Sequence, residues 1–202
     1  MPSDGAEIDV LACDLDGTLM RVNTFPVFLR FCLGELLARR DLRGLVQLAG
    51  ALARRKLLGG RHVDLKAATD AVAVRLGDEA VARWVASIAR EQVNPAVADL
   101  VARWEGPRIL TTAAPGAYAH GLGALFGFDA VHASGWRGGT YVENVYEAKV
   151  ARLRDEGFEQ VGCAVTDDPV ADGPLLRVAR SGLLVDAHGS VRAVGEGHRE
   201  HR

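Results

Sequence analysis

The chain has 202 residues, 49% of them hydrophobic and 25% charged, a balance that suits a packed globular protein and excludes a disordered or fibrous one. A formal charge of −2 provides no basic field for nucleic acid, and no apolar run approaches the length of a membrane span. Cys13, Cys32 and Cys163 have neither metal-ligand spacing nor an even count for disulfides, so they read as reduced core thiols in a cytoplasmic protein.

Residues 1–7 lack the basic-then-apolar order of a secretory signal. Short apolar runs at 8–13, 108–112, 130–133, 160–165 and 182–185 read as buried parallel strands. Helix-length segments at 116–126, 147–156 and 171–180 separate the later runs, which predicts the α/β class with a doubly wound parallel sheet. Between the first and second runs the periodicity is helical throughout, over 25–37, 42–57, 65–76 and 79–92, with breaks at Gly59 and Gly60 and at Gly77 and Asp78. Asn94 and Pro95 open a further helix that returns the chain to the sheet near Trp104. A segment of this length is an inserted domain. The chain therefore divides into a core of residues 1–19 and 105–194, a helical insert of 20–104 and a frayed tail of 195–202.

The chemistry gathers at the ends of the strands. The string DLDGTL at 14–19 puts two carboxylates, Asp14 and Asp16, on one side of the first strand's end, where open α/β sheets bind their ligands. Alone, such a string is most simply a solvated turn. Further groups follow in order: Thr111 and Thr112 end the second strand ahead of a helix whose N-terminus suits a phosphate oxygen. Lys149 lies early in the 147–156 helix, placed to offset negative charge. The string TDDPVAD at 166–172 supplies Asp167, Asp168 and Asp172. These read as helix caps on their own, and as a magnesium site if they face Asp14.

This constellation resembles the four signature motifs of the haloacid dehalogenase-like superfamily, over residues 8 to about 185. The resemblance implies a Rossmann-like core, Mg²⁺ as cofactor, Asp14 as nucleophile and Asp16 as general acid/base. It further implies Thr112, Ala113 and Lys149 as phosphate-binding groups, because TAAP at 112–115 resembles the family's T-A-S-P. Metal ligands would be Asp14, the Asp16 backbone carbonyl, Asp168 and Asp172; Asp167 stands where the family's GDxxxD motif has glycine and is a further candidate.

The helical insert resembles the C1 cap of phosphoserine phosphatase-like members. Those carry a glutamate nine residues after the nucleophile, where this chain has Asn23, which argues against phosphoserine as substrate. The string NVYEAK at 144–149 is similar to a segment of haloacid dehalogenase-like domains fused to bacterial prenyltransferases. The function implied is Mg²⁺-dependent hydrolysis of a small phosphate monoester through an aspartyl-phosphate. Alternatives are phosphotransfer or a phosphomutase on the same core, or a non-catalytic regulatory module linked to lipid or isoprenoid metabolism.

Residues 30–61 hold eight bases against two acids, so the rest of the chain carries −8. A solvated face whose Arg and Lys stems cover apolar helix is the first reading. An anionic-substrate funnel and a membrane-facing surface come after it. Arg21 is the base placed to meet a second anionic group on the substrate.

Overall fold

The computed structural model describes residues 9–57 and 59–194; the start of the first predicted strand, the 1–7 segment and the 195–202 tail lie outside the described residues. A seven-stranded sheet runs in the order β4-β3-β2-β1-β5-β6-β7. At its centre β1 (Leu11–Cys13) pairs in parallel with β2 (Arg108–Pro115) and β5 (Val161–Thr166), with Cys13 level with Leu110 and Val165. Next outward come β3 (Ala130–Arg137) and β6 (Ala179–Val185), again parallel. This is the α/β, doubly wound architecture that the alternation of apolar runs and helical segments predicts.

Burial explains why these strands read as unbroken apolar runs. Leu11 and Cys13 face one side of the sheet, with Leu110 and Val165, while Val10 and Ala12 face the other with Ile109 and Ala164. Helices α7 (Glu147–Asp155) and α8 (Gly173–Val178) cover the second side through Val150, Leu153 and Leu175. On the first side lie α6 (Gly116–Leu125) and the helical insert. A strand with cover on both faces has no polar side to show.

Both edges of the sheet differ from the sequence reading. Strand β4 (Thr140–Val142) folds back on β3 through Gly138 and Gly139, whose φ values of 53° and 81° suit the two-residue turns favoured in hairpins. Strand β7 (Val191–Ala193) closes the opposite edge, antiparallel to β6. Helix α8 ends at Val178, short of the predicted 180, because Ala179 already pairs with Val161 in the sheet.

The insert holds α1 (Thr24–Ala38), α2 (Leu42–Leu57), α3 (His62–Leu76), α4 (Asp78–Gln92) and α5 (Pro95–Arg103). Asn23 caps α1 by accepting from the Phe25 N–H, and Asn94 caps α5 by accepting from the Ala96 N–H. The two chain connections run side by side. The Arg21 N–H donates to the Gln92 carbonyl and the Asn94 N–H to the Leu19 carbonyl, each at 2.8 Å. The insert rests on α6 through an aromatic cluster in which the Tyr118 ring lies 4.6 Å from Phe28 and 5.1 Å from Trp84. All three cysteines are buried and unpaired, and burial pushes the Cys32 thiol up to about 12. No described helix is long and apolar enough to cross a membrane.

Candidate active site

A cleft of about 340 Å³ opens at the carboxyl ends of β1, β2 and β5, and it is lined by every site residue that the sequence nominates: Asp14, Asp16, Arg21, Thr112, Ala113, Lys149, Asp167, Asp168 and Asp172. Asp14 leaves β1 with its N–H donating to the Val165 carbonyl at 2.9 Å, so the sheet itself fixes where this carboxylate stands.

Lys149 reaches in from the first turn of α7 and is 4% exposed. Its ammonium lies 2.8 Å from Asp14 Oδ1 and 2.7 Å from Asp172 Oδ1. Burial alone would lower the Lys149 pKa, but the two carboxylates outweigh it and hold the group firmly protonated. The same burial pushes Asp14 up to about 7, against the pull of Lys149. Asp14 Oδ2 has no hydrogen-bond partner among the described residues.

Asp16 is held differently. Its Oδ1 accepts from the Thr24 N–H at 2.8 Å and from the Thr24 hydroxyl at 2.6 Å. Thr24 Oγ1 also lies 3.0 Å from the Tyr118 hydroxyl. A threonine hydroxyl has one proton, and here the carboxylate takes it, so Tyr118 must be the donor in the second contact. The result is a directed chain from Tyr118 through Thr24 to Asp16. Burial raises the Asp16 pKa, and the two bonds from Thr24 oppose that rise.

Thr112 Oγ1 accepts from the Ala114 N–H at 3.0 Å, which keeps its own proton available to an oxygen in the cleft. The strand end carrying it is held from two sides. Asn144 Nδ2 donates to the carbonyls of Thr112 and His132 and to Thr111 Oγ1. From the insert, the buried Lys66 ammonium donates to the Ala113 carbonyl at 2.8 Å and pairs with Glu143 at 2.7 Å.

The acidic loop shares out its carboxylates. Asp172 spends both oxygens, one on Lys149 and one on the Thr166 hydroxyl at 2.7 Å. Asp168, which lines the cleft, accepts from the N–H groups of Val170 and Ala171 through Oδ1, which makes it the cap of its own turn. Asp167 lies against the turn after β1, where Thr18 Oγ1 donates to it at 3.4 Å. A Cβ on Gly17 would displace the exposed Asp167 carboxylate, which can turn away, so it is φ 74° that calls for glycine in this turn.

Among the described residues no three acidic, imidazole or thiolate groups already converge as a metal cage. The donor set nonetheless fits Mg²⁺. Five carboxylates face two cations in the cleft, an excess of three negative charges, and Mg²⁺ needs only one or two carboxylates beside its waters. Asp14, with Asp168 or Asp167, remains free to hold it, whereas Asp172 serves Lys149.

Arg21 is exposed at the mouth of the cleft, and no base from 30–61 lines it. The funnel reading of that basic segment therefore does not match the geometry. Asn23 is occupied as the cap of α1. Thr24, Tyr118, Asn144 and Lys66 are contributors that sequence reasoning misses as site residues. Only Asn144 stands out in the sequence, through the NVYEAK string.

None of the curated proteins matches the chain significantly. Among solved structures, a protein with unknown function from Bordetella pertussis Tohama I superposes with a TM-score of 0.63 at 18% identity, covering 87% of this chain and 89% of that one. A phosphoserine phosphohydrolase-like protein from Francisella tularensis subsp. tularensis SCHU S4 gives a TM-score of 0.52 at 10% identity, covering 87% and 86%. These two likenesses show a shared fold. The sequence profile of the haloacid dehalogenase-like hydrolases matches residues 11–177, which takes in β1, the insert and the cleft as far as α8, and the chain belongs to that family.

Proposed function

We propose that the protein hydrolyses a small phosphate monoester with Asp14 as nucleophile and Asp16 as general acid/base, and that residues 20–104 act as a cap over the site. The observation that carries this reading is the different treatment of the two carboxylates. Burial raises the pKa of both, but Asp14 is ion-paired to a buried lysine, whereas Asp16 is held by two hydrogen bonds from Thr24. Groups in one cleft whose environments differ in this way suit separate roles as nucleophile and proton carrier.

Asp14 Oδ2 attacks phosphorus as the bond to the leaving oxygen breaks, and Asp16 gives that oxygen its proton. Water then attacks the aspartyl-phosphate, Asp16 takes a proton from it, the bond between phosphorus and Asp14 breaks, and inorganic phosphate leaves. Lys149 and the Thr112 hydroxyl offset the charge on the phosphoryl oxygens. Mg²⁺, held by Asp14 and Asp168 with Asp167 as a further candidate, would supply the remaining positive charge. The exposed Arg21 guanidinium suits a second anionic group on the substrate.

The test is a screen of phosphate monoesters, with and without a second anionic group, in Mg²⁺ and in EDTA. Turnover should require Mg²⁺ and disappear in Asp14→Asn. Undiminished turnover in that variant excludes the mechanism.

A further inference from the structure

Helix α2 carries an apolar stripe that packs on nothing. Leu42 and Val46 are each 73% exposed and Leu57 is 80% exposed, and Ala49 and Ala53 between them are exposed as well. These five positions follow the spacing of one helix face, while Gly44 and Leu48 turn inward. At 100° per residue, Arg43 and Arg54 flank the stripe on one side and Lys56 on the other. The helix has four bases and no acid.

None of these four bases has a carboxylate partner among the described residues. The nearby acids are taken: Asp41 by Arg75, Glu35 by Arg39 and Asp64 by Arg61. Beside the stripe, Arg54, Arg55 and Arg61 line a separate surface cleft of about 320 Å³ with Gln47 and with Asp64, whose charge Arg61 offsets at 3.5 Å; it shares no residue with the catalytic cleft.

We infer that α2 docks the protein on an anionic lipid bilayer, with the stripe resting among the acyl chains and the arginine cleft taking a lipid phosphate. An apolar strip flanked by cations matches the boundary between acyl chains and negative headgroups. The long Arg and Lys stems lie along apolar surface while their charges reach the phosphates. Arginine forks bind phosphate oxygens two at a time. A second copy of the chain fits the face poorly, since pairing two α2 helices would bring eight bases together.

Sedimentation of the full chain with vesicles tests this, using pure phosphatidylcholine against equal parts phosphatidylcholine and phosphatidylglycerol. The protein should bind the anionic vesicles only, and less as salt rises. Replacing both Arg54 and Arg55 by Gln should lower partitioning roughly 25-fold, at about fivefold per base. Val46→Asp should also release the protein, with circular dichroism unchanged because that side chain points outward. Indifference to vesicle charge or to Val46→Asp would overturn the inference. So would a dimer in solution that Val46→Asp dissociates, since another copy would then cover the face.

Discussion

At the scale of single residues, the site turns on how burial is offset. The Asp14 pKa rises from its ordinary 3.8 to about 7 through desolvation, with Lys149 opposing the rise. A carboxyl whose folded pKa lies above its unfolded one contributes stability below pH ~4 that is lost as pH climbs to about 7. We expect the Asp14 carboxyl of the metal-free protein to titrate near pH 7 by carbon NMR, and Mg²⁺ to shift that midpoint down. A midpoint at the ordinary value would contradict the burial argument.

Thr24→Val removes the hydroxyl between Tyr118 and Asp16 but keeps the backbone donor. The carboxylate then loses a bond that favours its charged form, so the pKa of Asp16 should rise further and the pH–rate profile should move to higher pH. Hydrogen bonds to charged groups contribute about 1.5–3 kcal/mol, so kcat should fall roughly tenfold to a hundredfold. An unmoved profile would show that Thr24 does not set the protonation of Asp16.

The meeting of Asp14, Asp16 and Lys149 in one cleft is legible in the sequence because each stands at an element's end with a charge and no local structural need for it. Thr24 and Tyr118 are not legible. They are 94 positions apart, and each alone looks like an ordinary helix residue.

At the scale of elements, the turn after β1 is the most constrained. Gly17→Ala forces a Cβ against the Asp167 carboxylate and holds alanine at φ 74°. We expect a loss of more than about 1 kcal/mol in urea unfolding, along with loss of turnover. Adding Asp167→Gly removes the side chain in the way but leaves the backbone strain, so the double variant should recover little of the stability. Full recovery would mean that φ at this position is unimportant.

The parallel strands were readable from their unbroken apolar runs. The edges were not: β4 and β7 have three residues each, too few for a periodicity to register. Gly138 and Gly139 were the one local mark of the β3–β4 turn. The end of α8 is not legible because the helical pattern of 171–180 runs into residues that the sheet claims. Pairing of Ala179 with Val161 decides the matter, and pairing depends on a distant strand.

At the scale of the whole molecule, the insert and the sheet share one core. Phe28 from α1 is fully buried against Tyr118 and Trp84. Phe28→Ala should therefore cost about 3–5 kcal/mol, and a single cooperative unfolding transition should persist at the lower midpoint. Two separate transitions would show that insert and sheet fold independently. Composition and helical periodicity reveal that an insert exists, but they carry no record of which sheet face it covers. That depends on the fit of Phe28 and Trp84 to α6, a matter of shape between distant residues.

The paired connections bear on how such a protein can change. Leu19 bonds to Asn94 and Arg21 to Gln92, so the stretch from α1 to α4 begins and ends at neighbouring points. To the strands, whatever lies between is a closed loop. Doubling a flexible loop's length costs only about 0.6 kcal/mol in closure entropy. The junction therefore works as a socket that tolerates inserts of very different size, provided that each returns an apolar face to α6 and a hydroxyl to Asp16. On the proposed reading of residues 20–104 as a cap, exchanging the piece plugged into it would change the substrate and leave the groups at the strand ends as they are.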